Sequence, residues 1–347
     1  MRLFAFATSL PLVLTMLAAL FGGVWGALAV GYVTVLVFCL DRLVARMPRN
    51  PDPEAEFPAA DPLLLALGLG HFIVLGLALA GVAGATGLSP AERLLLGIAA
   101  GLVAGQIAHP VAHELIHRGM RAKRRLGRLI YTSLLFGHHA SAHLHVHHTH
   151  VATTADPSSA RHGEGFYRYA LRAWPGAFRA GLRAETRRHG GLSWRHPYVL
   201  YLGGAVAMVA GVAVLWGWQG LGALAFIAGY AQIQILLSDY VQHYGLSRAS
   251  RAGGGYAPVG PAHSWNAPQW YSSAMTLNAP RHSDHHVTPQ RPYPALQLRP
   301  DIMPVLPHSL PVMAVLALAP PLWRRVMDRR AARWRESSGE GLHDLAV

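Results

Sequence analysis

Apolar residues in this chain come in long blocks, with little polar alternation inside each block. Residues 3–21, 24–40, 62–84, 94–112, 198–218 and 220–240 are predominantly apolar. Each is close to the roughly 20 helical residues that cross a bilayer. Gly22-Gly23 reads as the turn between the first two blocks, and Gln219-Gly220 as the turn between the last two. The pattern predicts an all-α integral membrane protein: six transmembrane helices, paired as three hairpins, in one domain over 1–347. A signal peptide is the rival reading of 3–21, and the second apolar run directly behind it argues against that. Residues 302–322 are apolar too but hold five prolines, which disfavour a regular helix. That stretch is expected to be re-entrant or interfacial. The basic tail Trp323–Arg335, with two tryptophans, is expected as a helix on the membrane surface, making 302–335 an interfacial C-terminal segment.

The polar segments between blocks set the orientation. Arg42, Arg46 and Arg49 follow the second block; Arg118, Arg121, Lys123, Arg124, Arg125 and Arg128 follow the fourth; the polar stretch 245–300 follows the sixth. Positive residues favour the cytoplasmic side, which places these loops and both termini there. Trp216, Trp218 and Trp265 are expected as interfacial anchors.

Composition narrows the chemistry. The chain is 52% hydrophobic and 14% charged, well under the roughly 25% charged residues of soluble domains. Its net charge of +13 comes without a nucleic-acid-binding motif, so no nucleic-acid partner is expected. Cys39 is the single cysteine. That removes disulfides, thiolate zinc sites and built-in iron–sulfur clusters. Electrons for any redox reaction must then come from another protein or a bound cofactor.

Histidine, with 21 residues, carries the candidate chemistry. His113-Glu114-Leu115-Ile116-His117 ends the fourth block, and its i, i+4 histidines share a helix face. The same string matches the HExxH signature of zinc proteases. The second cluster is His138-His139, then His143-Leu144-His145-Val146-His147-His148-Thr149-His150. His143 and His147 are again four apart, and His148 is turned about 100° from His147 on a helix, so the pair can serve two metals. His282-Ser283-Asp284-His285-His286 is the third cluster. His243 stands alone at the end of the sixth block. All lie just outside spans on one predicted side. One metal cannot use so many imidazoles, whereas two can use about nine. Imidazole suits Zn, Cu, Fe and Ni, so ligand type leaves the metal open.

These strings resemble the membrane alkane 1-monooxygenase family, within the wider membrane fatty-acid desaturase and hydroxylase group. His113–His117 resembles its first histidine box. His143–His148 resembles the second, continued by Val151-Ala152-Thr153-Thr154-Ala155-Asp156-Pro157. Asp239–Gly245 resembles an additional histidine motif, and Arg281–His286 the third box. The resemblance implies two non-haem iron ions held by His113, His117, His143, His147, His148, His243, His282, His285 and His286. It implies hydroxylation of a terminal carbon of an alkane or similar apolar substrate with O2. Electrons would come from a rubredoxin or ferredoxin-type donor with its NAD(P)H reductase, in the inner membrane of a bacterium. Ala142, Asp239, Gln242 and Ala279-Pro280 depart from the family pattern, which bears on the substrate more than on the ligands.

Several expectations follow. Glu114, Asp239 and Asp284 are candidates to hold the second nitrogen of ligand histidines or to relay protons. A cavity among spans three to six should end at the histidines. His71 and His109 should be packed or hydrogen-bonded helix residues; His138, His139, His145 and His150 lack a box position. Arg118–Arg128 could steer an acidic electron carrier, although topology and anionic lipid explain the same charges. The rivals are an acyl-lipid desaturase or fatty-acid hydroxylase, a methyl hydroxylase of alkyl aromatics, an intramembrane zinc protease and a metal transporter.

Overall fold

The computed structural model describes residues 1–44, 47–251 and 253–337; Arg46 lies outside them. Among the described residues all regular structure is helical apart from two isolated bridges, Ser250 with Tyr256 and Asn266 with Val305. Five helices are long and apolar enough to cross a membrane. They are α1 (Arg2–Phe21), α2 (Val24–Leu43), α3 (Ala60–Ala83), α4 (Pro90–His117) and α8 (Pro197–His243); the helices flanking α8 in sequence are α7 (Phe166–His189) and α9 (Trp270–Met275).

Local chemistry sets their ends. Gly22 and Gly23, at φ 62° and 59°, turn the chain between α1 and α2. Gly84 ends α3 in the left-handed region at φ 91°. Ser89 caps α4, its side chain accepting from the Glu92 N–H while the Glu92 carboxylate accepts from the Ser89 N–H. Pro90 occupies the first turn, where no intrahelical N–H is needed. Inside α8 the backbone breaks at Gly217, with φ 57° and ψ −145°. A Cβ on Gly220 would lie 3.0 Å from the Val212 carbonyl. Residues eight apart on a straight helix are separated by about 12 Å, so the chain doubles back there. The reversal sits two or three residues before the Gln219-Gly220 turn expected from sequence.

A row of glycines joins α4 to the second half of α8. A Cβ on Gly97 would meet the Phe226 ring at 2.8 Å, one on Gly101 would run into the Tyr230 ring, and one on Gly105 would meet the Gln234 amide at 2.5 Å. Small residues at i, i+4 spacing let membrane helices approach closely, and here they receive a row of large side chains at the same spacing. Gly127, on α5 (Arg121–Ser133), serves the polar end: a Cβ there would lie 2.7 Å from the Ala112 carbonyl. That closeness presses α5 onto the end of α4.

Outward-facing residues of the long helices are apolar, with Val35, Phe38, Leu69, Ile73, Val206, Val214 and Trp218 exposed. Without an apolar surrounding such a surface would be costly. The chain is therefore a multi-pass membrane protein.

The C-terminal segment is helical where its prolines were expected to disfavour a regular helix. Residues Leu310–Ala317 form helix α11 and Pro320–Ser337 form α12. Pro311, Pro320 and Pro321 stand in the first turns of these helices, where proline is tolerated. Trp323, Met327 and Ala331 are fully buried, and Trp323 packs on the Tyr240 and Tyr244 rings at 5.2 Å. The tail is thus docked into the protein core along one face. Trp265 is not an anchor either: it is buried, and its Nε1–H donates to the Tyr244 carbonyl at 2.9 Å. Trp218 does lie on the apolar exterior.

Candidate metal centre

Four pieces of chain deliver histidines to one place. The end of α4 carries His113 and His117, one turn apart. Residues 138–150 form a short helix, here α6, whose middle turn, His143–His147, is π-helical. The end of α8 presents His243. His282, His285 and His286 lie on α10, His282–Val287. Asn266 fastens α10 in place: its Oδ1 accepts from the Ser283 N–H at 3.0 Å, and its Nδ2–H donates to Ser283 Oγ at 2.8 Å.

The nine family-implied positions form two abutting groups: His113, His117, His143, His148 and His285, and then His147, His243, His282 and His286. In the first, the Nε2 atoms of His117 and His143 are 3.1 Å apart, those of His143 and His148 2.9 Å, and those of His148 and His285 3.1 Å. In the second, His282 Nε2 lies 3.0 Å from that of His243 and 3.1 Å from that of His286. Two nitrogens each about 2.1 Å from a shared metal, at right angles, stand about 3 Å apart. The spacing is that of a coordination shell.

The pairing within the second box departs from the simple helical reading. His143 and His147, four apart, belong to different groups, while His143 and His148, five apart, belong together. A π turn closes over five residues, so it puts i and i+5 on one face and swings the intermediate His147 to the other group.

The donor set fits metal binding. His113 Nε2 and His147 Nε2 are buried and have no hydrogen-bond partner. Such orphaned atoms are costly unless something binds them. Burial keeps the imidazoles neutral, the form that coordinates metal. It holds His143, His148, His285 and His286 well below the ordinary histidine value and His282 down at about 3. His147 is the exception. Burial works against its charged form, but the Asp156 carboxylate, 2.8 Å from Nδ1, more than offsets this and raises its pKa. Asp156 is itself held by the Ser158 N–H at 3.0 Å and the Ser159 hydroxyl at 2.7 Å. A carboxylate behind a ligand imidazole fixes its tautomer and strengthens its donor nitrogen.

Asp156 therefore occupies the supporting place for which Glu114, Asp239 and Asp284 were the sequence candidates. Glu114 accepts from Arg118 at 3.0 Å and from the Tyr293 N–H at 3.2 Å. Asp284 accepts from Arg291 at 2.5 Å and from the Gln297 N–H at 2.9 Å. Asp239 is buried and accepts from Ser158. These bonds brace the backbone and loops around the boxes. Asp156 stands nine residues past His147 in the string quoted for the second box, and that string was the only available signal.

The remaining histidines divide by partner. His71 Nε2 meets Ser133 Oγ at 2.9 Å, and His109 Nδ1 meets Tyr131 Oη at 3.0 Å. His138 lies against Trp174 and Phe178, and His139 stacks on Phe136. His145 faces away from both groups, toward Glu185 at 3.4 Å. In the basic segment, Arg118 and Lys123 are paired with Asp61, which leaves Arg121 and Arg125 as its exposed charges.

An apolar cavity of about 490 Å³ opens beside this centre. Its walls are Val33–Phe38 on α2, Leu102–Pro110 on α4, Tyr230–Ser238 on α8, and α11 from Leu310 to Leu318. Expectation placed it among spans three to six; α2 and α11 line it in place of α3 and the first half of α8. Its rim residues Phe38, Ile233, Val315 and Leu318 are also exposed on the apolar exterior. Two π turns, Tyr32–Leu36 and Ala104–Ala108, border it. At the inner end His109 is one turn before His113, their ring centroids 6.2 Å apart.

Comparison with known proteins agrees with this geometry. The fatty acid desaturase family model matches residues 91–317. Alkane 1-monooxygenase 2 of Pseudomonas aeruginosa is 32% identical over 338 residues, covering 88% of this chain and 83% of that protein. Alkane 1-monooxygenase 1 of the same organism is 33% identical over 309 residues, covering 83% and 78%. Alkane 1-monooxygenase 2 of Alcanivorax borkumensis is 29% identical, covering 90% and 84%. Shared extent, histidine boxes and metal-binding geometry together place the chain in the fatty acid desaturase family, among its alkane 1-monooxygenase-like oxidoreductases.

Proposed function

We propose that this protein is a di-iron monooxygenase that hydroxylates an unactivated, terminal carbon of an alkane or similar apolar chain. The observation that carries the reading is the pair of all-imidazole groups, five and four histidines, beside an apolar cavity whose lining residue His109 is one turn from His113. His113, His117, His143, His148 and His285 would hold one iron and His147, His243, His282 and His286 the other. Bound iron would supply the activation of dioxygen needed to break a C–H bond. The chain's own residues do the rest. The cavity walls exclude water and align a chain with its end toward His113. Asp156 fixes the His147 ring. The rim among α2, α8 and α11 admits a lipid-dissolved substrate from the side.

One oxygen atom of O2 enters the C–H bond and the other leaves as water, which consumes two electrons and two protons. With Cys39 the only thiol, those electrons come from outside, in this reading from a rubredoxin or ferredoxin-type carrier and its NAD(P)H reductase. The centre lies on the cytoplasmic side of a bacterial inner membrane, reached by six crossings if the chain passes fully through on each side of Gly217. Turnover under labelled dioxygen, with alkanes, alkyl aromatics and fatty acids plus reductant, tests the proposal. A labelled terminal alcohol is expected. An alkene product would replace hydroxylation with desaturation, and full activity with zinc alone would overturn the oxygenase reading.

A further inference from the structure

The cavity is apolar along most of its length, but its α4 and α8 walls each carry one glutamine, Gln106 and Gln234. A primary amide in an apolar wall at membrane depth is costly unless both its ends are bonded. Gln234 is provided for. Its Nε2–H groups donate to the Gly101 carbonyl at 2.8 Å and the Tyr230 carbonyl at 3.2 Å, and its Oε1 accepts from Gln106. Gln106 is not. Its one bond, Nε2–H to Gln234 Oε1, is long at 3.4 Å, and its Oε1 is buried with no partner. Whichever way the amide is turned, one end lacks a partner. Leucine or methionine would fill the same wall without that cost. The residue also lies in the π turn Ala104–Ala108, a distortion frequent at functional sites.

We infer that Gln106 is a specificity residue that receives a hydroxyl group of the substrate, so that the preferred substrate is a chain with an alcohol at one end and the reacting methyl at the other. This rests on the proposed hydroxylation. Gln106 Oε1 is enclosed as the side chain stands, so the amide meets a hydroxyl in the cavity by turning about its side-chain bonds and giving up only the long 3.4 Å bond to Gln234. A hydroxyl both donates and accepts, so it then pairs with either end of the amide. Direction and length follow from the helices. Leu102, Gln106 and Pro110 run along one face of α4 toward His113, and Tyr230, Gln234 and Ser238 run along α8 toward His243. The cavity therefore lies along both helices. Seven residues of helix from Gln106 to His113 span about 10 Å, roughly eight carbons of an extended chain. A primary alcohol of about that length would place its hydroxyl at Gln106 and its methyl at the metal centre, and its product would be a terminal diol.

The test pairs a binding measurement with a turnover measurement. Metal-free protein in lipid nanodiscs is titrated with 1-octanol and with octane, for wild type, Gln106→Leu and Gln106→Asn. Wild type is expected to bind the alcohol about tenfold more tightly than the alkane, as one added hydrogen bond would give. Gln106→Leu should remove that preference, and Gln106→Asn should retain part of it. In competition turnover by the iron-loaded enzyme, the alcohol-to-alkane ratio of kcat/KM should fall by a similar factor in Gln106→Leu. Equal affinity of wild type for the two ligands overturns the inference, even if the leucine variant does not fold. So does a ratio unchanged by Gln106→Leu. Alcohol preference in binding without any oxygenated product would keep Gln106 as the hydroxyl-binding residue but defeat the hydroxylase proposal, and with it the reacting methyl.

Discussion

His143 and His148 are five residues apart and hold their Nε2 atoms 2.9 Å apart, while His147, between them, belongs to the neighbouring group. The π turn thus allots the three second-box histidines to two groups, which in the proposed reading hold one metal each. His148→Ala is expected to lose about one of two metal equivalents, and adding His143→Ala should remove little more, because both act on one metal. Combining His148→Ala with His147→Ala should strip both. Elemental analysis of purified variants reads this directly. Equal losses for every pairing of the three would contradict the allotment.

Asp156 supports His147 from behind. Asp156→Asn keeps the shape and removes the charge. It should weaken the site by about 10–100-fold in metal affinity, the usual effect of losing such a partner. Competition with a graded series of chelators measures this, and the loss should fall on the four-histidine group alone.

Glu164 and Arg172 form a two-point ion pair, with Nε to Oε1 at 2.9 Å and an Nη–H to Oε2 at 2.8 Å. Burial alone would raise the Glu164 carboxyl, but the Arg172 guanidinium and the Arg161 N–H outweigh it and hold the pKa below the ordinary 4.5. A carboxylate with a depressed native value contributes its stability in full above its unfolded value and loses it as pH falls through the native one. Thermal stability should therefore drop as pH goes below about 4.5. Glu164→Gln should be less stable by about 1–2 kcal/mol at neutral pH and should show a flatter acid limb. Parallel melting curves for wild type and variant at a series of pH values test both statements.

Much of the site was readable because ligand spacing is local. An i, i+4 pair such as His113 and His117, or His282 and His286, is visible in five consecutive letters. The group each histidine joins was not readable, because a π turn leaves no compositional mark and reassigns His147 and His148. The cavity walls were missed for another reason. Hydrophobic blocks announce helices but not neighbours, and α2 and α11 line one cavity across more than 270 residues of sequence. Trp265 and Trp323 look like surface anchors by residue type. Their burial is decided by packing against Tyr244, which no short stretch of sequence reveals.

The glycine row makes a further prediction. In Gly105→Ala the new methyl would have to displace the Gln234 amide, which sits 2.5 Å from its position. Overpacking of this kind costs about 1–3 kcal/mol. Gly203 has open space beside it, and Gly203→Ala should be neutral or slightly stabilising. Unfolding midpoints in one detergent compare the two.

Trp323→Ala would leave a large void against Tyr240 and Tyr244. A loss of about 3–5 kcal/mol is expected. A tail merely resting on lipid headgroups would show far less.

The walls of the cavity also imply an order of assembly. A chain emerges from its N-terminus, and its parts begin to fold in that order. All nine histidines precede Val287, whereas the wall from Leu310 to Leu318 comes later. The ribosome therefore delivers every imidazole before the last side of the cavity exists. The cavity is thus completed late in synthesis, with only α12 and the residues beyond it still to follow.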